Sequence, residues 1–600
     1  MQYVVTEVTN PDDSADNELL YSVDEVPPWY LCIILGFQHY LTAFGSNFTV
    51  PLVLAPYFCI GDDKVGLSEI ISTIFFVSGL STLIQTTFGI RLPIIQGSTF
   101  AFLTPTMGIL SLPQWTCPYT QKGANLTELP DYGSPRHREM WYLRLCEIQG
   151  AVMIASLFQI VIGFSGLIGV ILRFIGPLSI VPTITLIGLS LFPAAADLAS
   201  KNWYIALMTM FLIALFSQYL RNISVPMCRY EKGKGCGVYR LQIFKLFPIL
   251  LAMVLSWLIC AILTVAGAFP DDKSWGYEAR TDIKTDVIRD ALWFRFPYPG
   301  QWGLPTVSVA GVFGILAGVL ASMMESLGDY YACARLSGAP PPPPHAINRG
   351  IGVEGIGCVI AGALGSGNGT TSYSENVGAI GITKVGSRRV VQVGGIIMIL
   401  LGCLGKFGAL FVTIPDPVVG GVFMITFGMI TAVGLSNLQF VNMNSSRNIF
   451  VIGTSLFFGL SFPVWMRSHS DYIRTGSDIA NQIISVLLST SMFVGGVAGF
   501  VLDNTIPGTP EERGIRRWRN QLSSTEPKDG TESSSVYDLP LIQKYLDRVP
   551  LFNFLPFCPR FDLDACCGRV KRRSNSANIQ INNDVVDSAT NVAYDSSTHL

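Results

Sequence analysis

Charge is what this 600-residue chain has least of. Only 14% of its residues are Asp, Glu, Lys or Arg, against 50% apolar residues, whereas soluble globular proteins carry about 25% charge. That shortfall excludes an ordinary soluble domain. The net charge of −2 leaves no basic footprint for nucleic acid. The N-terminus, "MQYVVTEVTNPDDSADNELLYSVDEVPPWY", lacks a basic stretch followed by an apolar one. No cleaved signal peptide is expected, and the first span must direct insertion. Also missing are a metal-ligand cluster, a nucleophile elbow and a phosphate loop in a suitable context. An enzyme is disfavoured, and no resident cofactor or metal is expected.

Cysteine is sparse and scattered. Many of the thirteen sit in apolar runs, where they act as small apolar residues. Cys117 and Cys146 flank one polar loop, and a disulfide or two free thiols fit that spacing equally. Cys566 and Cys567 have no zinc spacing, and palmitoylation is the reading left for them.

What the chain has in plenty is long apolar runs. "IISTIFFVSGLSTLIQTTFGI" (70–90) and "IFKLFPILLAMVLSWLICAILTVAGAF" (243–269) meet the roughly 20 residues a bilayer requires. The expectation is an all-α polytopic membrane protein with up to fourteen spans. They fall near 30–57, 68–90, 97–112, 148–170, 176–195, 202–220, 241–268, 306–330, 350–366, 375–384, 390–413, 417–435, 448–464 and 479–502. The third and tenth are short and polar. In two sets of seven they occupy matched positions, which points to an inverted-repeat transporter with its site at the midplane.

Three basic stretches, at 220–240, 383–390 and 513–520, go to the cytoplasm by the positive-inside rule, and both termini with them. The 113–147 loop is then outside, where Asn125 in "NLT" is a glycosylation acceptor. "GAPPPPPHAINRG" (338–350) reads as a stiff polyproline II connector, with a docking ligand as the alternative. The tail beyond 505 reads as largely disordered apart from the Trp518 region.

Polar groups inside the apolar runs are the candidate site, because lipid makes them costly. "GTTSYSENVGAIGITK" (369–384) places Glu375 near the start of a short helix, after Thr370, Thr371, Ser372, Tyr373 and Ser374. "MMESLGDYYACARL" (323–336) places Glu325 and Asp329 four apart on one helix face. Two carboxylates so placed require a proton, a cation or a substrate donor between them. "IIQGSTFAFLTP" (94–105) places Ser98, Thr99 and Phe100 where a half-helix begins, with main-chain N–H groups to offer. Gln38 and His39 stand together in the first span. There His39 either contacts substrate or ion or braces its neighbours.

These stretches resemble the nucleobase–ascorbate transporter family over nearly the whole chain. The specific motifs are Gln38–His39 and Glu375-Asn376-Val377-Gly378 followed by Thr383-Lys384. "ESLGDYYACARLSGAPPPPPHAINRG" and "GITKVGSRRVV" look like the animal branch, which includes sodium-dependent vitamin C and nucleobase transporters. The resemblance implies fourteen spans in a seven-plus-seven inverted repeat. It implies a core domain of 30–170 and 306–413 and a gate domain of 176–268 and 417–502. The remainder is a cytoplasmic segment, 1–29, and a tail, 505–600. It also implies a homodimer in the plasma membrane, in contact with lipid.

Ascorbate members look like "QASAFAF" and "SSPNIG", where this chain has "QGSTFAF" and "YSENVG", closer to the nucleobase type. The expected function is therefore sodium-coupled uptake of a nucleobase such as uracil or xanthine, with an ascorbate transporter as the alternative. Glu325, Glu375, Ser98, Thr99, Phe100 and Ser374 are expected at the substrate. Asp329, Ser372 and His39 are expected at Na⁺, with Gln38 and Asn376 in support. A proton on Glu325 is the other coupling scheme. A non-transporting receptor or scaffold, docking through the proline rod and tail, is the rival from another class.

Overall fold

The computed structural model describes residues 19–120, 129–169, 175–231, 235–469, 472–518, 535–539 and 555–558. Asn125, Cys566 and Cys567 lie outside them. The longer helices are α1 (Trp29–Phe58), α2 (Lys64–Phe88), α3 (Leu103–Leu110), α4 (Pro135–Ser165), α5 (Pro177–Ser190), α6 (Phe192–Ser200), α7 (Trp203–Ala214), α8 (Pro248–Val265), α9 (Val309–Leu336), α10 (Pro344–Leu364), α11 (Ser374–Thr383), α12 (Arg388–Gly402), α13 (Gly405–Val412), α14 (Asp416–Ser436), α15 (Ser446–Ser468), α16 (Asp478–Leu488) and α17 (Ser491–Thr505). Short strands β1 (Gln96–Ser98), β2 (Val225–Glu231), β3 (Gly235–Leu241) and β4 (Thr370–Ser372) complete the set.

Helix occurs in every one of the fourteen expected segments. Among the described residues, however, eight helices are long and apolar enough to cross a membrane, or nine if the bent pair α16–α17 is one span. The protein is thus a mostly helical, multi-pass membrane protein. Helix α1 falls outside the eight despite its 30 residues. Its buried Gln38, His39, Ser46, Asn47 and Thr49 make it too polar.

Three boundaries differ from the expected ones for local reasons. Helix α4 begins at Pro135 and not near 148. Ser134 caps it by accepting from the His137 N–H at 3.3 Å, and Pro135 takes the first helical position, where a missing N–H costs nothing. Segment 390–413 is split between α12 and α13, with Leu404 in an extended conformation. Segment 479–502 bends by 81° between α16 and α17.

The helices pack in two sets. In one, α4 lies along α10, α2 and α1 along α12, and α9 against α4. In the other, α5 packs on α14 and α17, α15 on α17, and α14 on α6 and α7. Small residues let backbones touch where lipid gives helices little hydrophobic reason to associate. A Cβ on Gly79 of α2 would lie 2.4 Å from the Gly395 carbonyl oxygen of α12. One on Gly163 of α4 would lie 2.3 Å from the Gly352 nitrogen of α10.

The third and tenth segments cross each other. Strand β1 pairs antiparallel with β4, Gln96 opposite Ser372, Gly97 opposite Thr371 and Ser98 opposite Thr370. The ladder extends through Tyr373 N–H to the Ile95 carbonyl (3.0 Å) and Thr99 N–H to the Gly369 carbonyl (3.2 Å). Each strand then feeds a short helix, β1 through Phe100–Phe102 into α3 and β4 directly into α11. Non-helical backbone is tolerable at membrane depth when its polar groups pair within the protein, and this crossing pairs them.

One expectation changes. Cys117 is bonded to Cys59, just after α1, while Cys146 is a buried free thiol. Cys146 sits inside α4, because that helix starts before it. Described pieces of the chain's last hundred residues are held against the helices. Asp503, fully buried, pairs with Arg447 (3.0 Å) and Arg513 (2.9 Å). Farther on, Arg349 of α10 donates to the Tyr537 carbonyl (2.6 Å) and Arg388 to the Val536 carbonyl (3.0 Å), while Asn348 donates to the Pro556 carbonyl (3.0 Å). Tyr537 is completely buried, with its hydroxyl on the Pro340 carbonyl of the proline connector. Pro343 there has φ −70° and ψ 157°, in the polyproline II basin. Arg388 also pairs with Asp24 at 3.0 Å, so the N-terminal segment and the tail meet on one face of the molecule.

Candidate functional site

A cavity of about 790 Å³ lies between the two helix sets. One wall comes from α1, α9 and the crossed segments, through Ser46, Phe100, Glu325, Gly328, Asp329, Thr371, Tyr373, Ser374 and Glu375. The facing wall is mostly apolar, with Ile180, Ile184, Ile187, Met429, Ile430 and Val433 from α5 and α14. The cavity reaches the face that carries the proline connector and the tail, where Pro341, Phe440 and Trp518 line it. Phe100 meets Phe427 of α14 edge to face at 6.3 Å, a contact between the two sets.

The polar wall is a consequence of the chain crossing. Because β4 ends at Ser372, α11 starts at the cavity with Glu375 in its first turn, where the helix dipole favours a negative charge. The Ser46 hydroxyl donates to Glu375 Oε1 at 3.2 Å. Glu325 and Asp329 come from one face of α9, as their spacing requires. Asp329 Oδ2 is buried and has no hydrogen-bond partner among the described residues. The wall thus carries three carboxylates opposite an apolar face, and can hold a flat solute with N–H donors or a hard cation.

The structure brings Phe100, Glu325, Asp329, Ser374 and Glu375 to the cavity and leaves the other expected residues behind it. Ser98 uses its main chain, its N–H donating to Asn47 Oδ1 (2.9 Å) and its carbonyl accepting from the Tyr373 hydroxyl (3.0 Å). The Thr99 N–H is spent on Gly369, so it is not free for a solute. Ser372 is fully buried, accepting from Gln96 Nε2 (2.9 Å) and donating to Glu354 Oε2 (3.3 Å). His39 stands against Asn376, whose Nδ2 lies 3.2 Å from His39 Nδ1 and donates to the His39 carbonyl at 2.8 Å. That is the bracing arrangement. Gln38 is buried beside it, its carbonyl accepting from Thr42.

Sequence reasoning missed Glu354. It lies in the middle of α10, 1% exposed, and accepts from Gln159 (3.1 Å), Ser326 (2.7 Å), Tyr330 (3.2 Å) and Ser372. A buried carboxylate is tolerated when so satisfied. The signal was there: it is the sole acid in a 21-residue apolar helix. Asn47 was missed too. Its Oδ1 accepts from the Ser98 N–H, from Ser78 Oγ (3.1 Å) and from the Tyr373 hydroxyl (3.0 Å), which ties α1, α2 and both strands together.

Comparison with known proteins shows a family of permeases. Residues 31–468 match the model of a permease family. Solute carrier family 23 member 2 of Rattus norvegicus is 54% identical over 92% of this chain and 84% of its own length. Member 1 of Mus musculus is 52% identical over 91% and 89%. Nucleobase-ascorbate transporter 2 of Arabidopsis thaliana is 35% identical over 89% and 97%. Among solved structures, SLC26A9 superposes loosely, with a TM-score of 0.46 and 10% identity over 77% of this chain and 65% of that one.

Proposed function

Because the chain belongs to the nucleobase–ascorbate permease family, a family of small-molecule transporters, we propose that it carries a nucleobase across the membrane. Glu325 and Glu375 accept hydrogen bonds from N–H groups of the base. The observation that carries this reading is that both carboxylates line one cavity, opposite an apolar wall. Uracil and xanthine offer N–H donors, and a buried site built to meet a donor rejects an analogue without it by up to four or five powers of ten. Phe100 and Tyr373 supply aromatic surface for a flat ring. Na⁺ is the coupling ion, and the orphaned Asp329 Oδ2 supports an ion there. The two helix sets act as core and gate in a seven-plus-seven repeat of fourteen spans, the core sliding against the gate. The protein works as a plasma-membrane homodimer with both termini in the cytoplasm.

Ascorbate is the second reading, and whole-chain identity supports it better than it supports a nucleobase. The match is 52–54% to mammalian solute carrier family 23 members and 35–36% to plant nucleobase-ascorbate transporters, and the animal branch it resembles includes vitamin C transporters. Against it stands charge: ascorbate is an anion, and Glu375 would meet it as a like charge. Uptake of labelled uracil, xanthine and ascorbate, with and without Na⁺, in cells expressing the chain separates the two. Saturable, Na⁺-dependent uptake of a base is expected. Uptake of ascorbate alone would replace the first reading with the second.

A further inference from the structure

The turn that leads into β1 is held from outside its own segment. Residues 89–91 follow α2, and Arg91 has φ 64°, a left-handed conformation that a residue with a side chain keeps only when its surroundings impose it. Two buried arginines do so. Arg349 of α10 donates through Nε to the Gly89 carbonyl (2.8 Å), and Arg388 of α12 donates through Nε to the Arg91 carbonyl (2.7 Å). Through Nη2 the same two side chains take the carbonyls of consecutive tail residues, Tyr537 (2.6 Å) and Val536 (3.0 Å). Each guanidinium therefore bridges the turn and the tail with charge-assisted bonds on both sides. The tail segment is seated as a bound peptide is, by its main chain and by one side-chain pocket. The Tyr537 ring is fully buried, its hydroxyl on the Pro340 carbonyl, and Asp538 adds a negative charge beside Arg91 and Arg349. Beyond the turn the chain runs to the cavity. Cys333 of α9 donates to the Pro93 carbonyl (3.6 Å), β1 pairs with β4, and Phe100 lies in the cavity wall.

We propose that the tail segment Val536–Tyr537 is a positioning element for the cavity. Docked on Arg349 and Arg388, it fixes the turn at 89–91 and, through it, the β1 arm of the polar wall. Val536 and Tyr537 touch no solute and act through the two arginines. Without the segment, each guanidinium loses the contact that aims it at the turn, and the β1–β4 crossing loses the support at its entrance. The effect on transport rests on the cavity being the solute site, whichever solute it takes.

The test uses the full chain with Tyr537→Ala, and with Tyr537→Phe, which keeps the ring. Hydrogen exchange of the main-chain amides at 96–99 is read in the purified protein. KM and maximal rate of surface-normalised uptake are read for whichever of uracil, xanthine and ascorbate the parent carries. Tyr537→Ala is expected to speed that exchange about tenfold and to raise KM about tenfold, with the maximal rate within about twofold of the parent. Tyr537→Phe should stay within about threefold of the parent in both readouts. A purely structural role would lower the maximal rate and leave KM unchanged, and that result overturns the proposal. A free peptide of residues 532–541, ESSSVYDLPL, added to the purified Tyr537→Ala protein should slow the exchange again, and the same peptide carrying Tyr537→Ala should not. Equal action of the two peptides, or none from either, also overturns it. Should Tyr537→Ala not reach the surface, a protease site placed within 519–531 lets the tail be cut from the folded parent, and exchange and solute binding are compared before and after. If Glu325→Gln and Glu375→Ala keep full uptake, the cavity reading has failed. If they lose it while Tyr537→Ala leaves KM unchanged, the positioning role alone has failed.

Discussion

The segments Gln96–Leu110 and Thr370–Thr383 run the same course, a three-residue strand followed by a short helix, and they pair with each other where they cross. What they carry differs. The first is without charge. Its contributions are main-chain groups of Ser98 and Thr99 and the Phe100 ring. The second brings Glu375 to the cavity, Tyr373 to the wall and Asn376 to the brace on His39. Equal geometry with unequal chemistry means that a matched pair of broken helices can divide its work. On the proposed function, one arm would give the frame and the other most of the groups that meet the solute.

If that division holds, the largest losses come from acids and the smallest from the frame's side chains. Glu375→Ala, and Glu325→Gln on helix α9 of the same wall, are each expected to lower surface-normalised uptake about 100-fold, by removing a charge-assisted hydrogen bond. Glu375→Gln retains an acceptor and should lose roughly tenfold. A flat Glu, Gln, Ala series at 375 would place the chemistry elsewhere. Next comes Asp329→Ala, which should raise the Na⁺ concentration for half-maximal uptake about tenfold while leaving the order of preferred solutes intact. An unchanged activation curve removes Asp329 from the ion site.

Smaller still is the brace. Asn376→Ala and His39→Ala are each expected to cost about 1–2 kcal/mol of stability, read as a lower thermal midpoint in detergent, and the double variant should cost little more than one. Full additivity would mean that the two residues act apart. The smallest effect belongs to Ser98→Ala. Because the bonds that tie Ser98 to Asn47 and Tyr373 use its main chain, uptake should stay within about twofold of the parent. A large loss there would show that the first arm also reads the solute.

Much of this layout was legible in the sequence because length and polarity in lipid are strong constraints. The short third and tenth segments, the α9 acids and Glu375 were all visible as breaks in apolar runs. What the linear pattern could not show was which polar atoms spend themselves on one another. Ser372 and Thr99 look like ligands until Glu354 and Gly369 are found on them. Helix ends were misjudged where caps, and not hydrophobicity, decide them, as at Ser134. The Cys59–Cys117 bond and the docking of Tyr537 join residues far apart in the chain, and nothing local announces either.

The docked tail has a mechanical consequence. Trp518, at the cavity edge, follows a stretch held to α15 and α17 through Asp503 and Asn448. Ser535 begins the stretch held to α10 and α12 through Arg349 and Arg388. Residues 519–534 join them, roughly 55 Å of chain at full stretch. The two attachments therefore tie both helix sets to one stretch of chain, and any displacement of one set against the other is bounded by that reach.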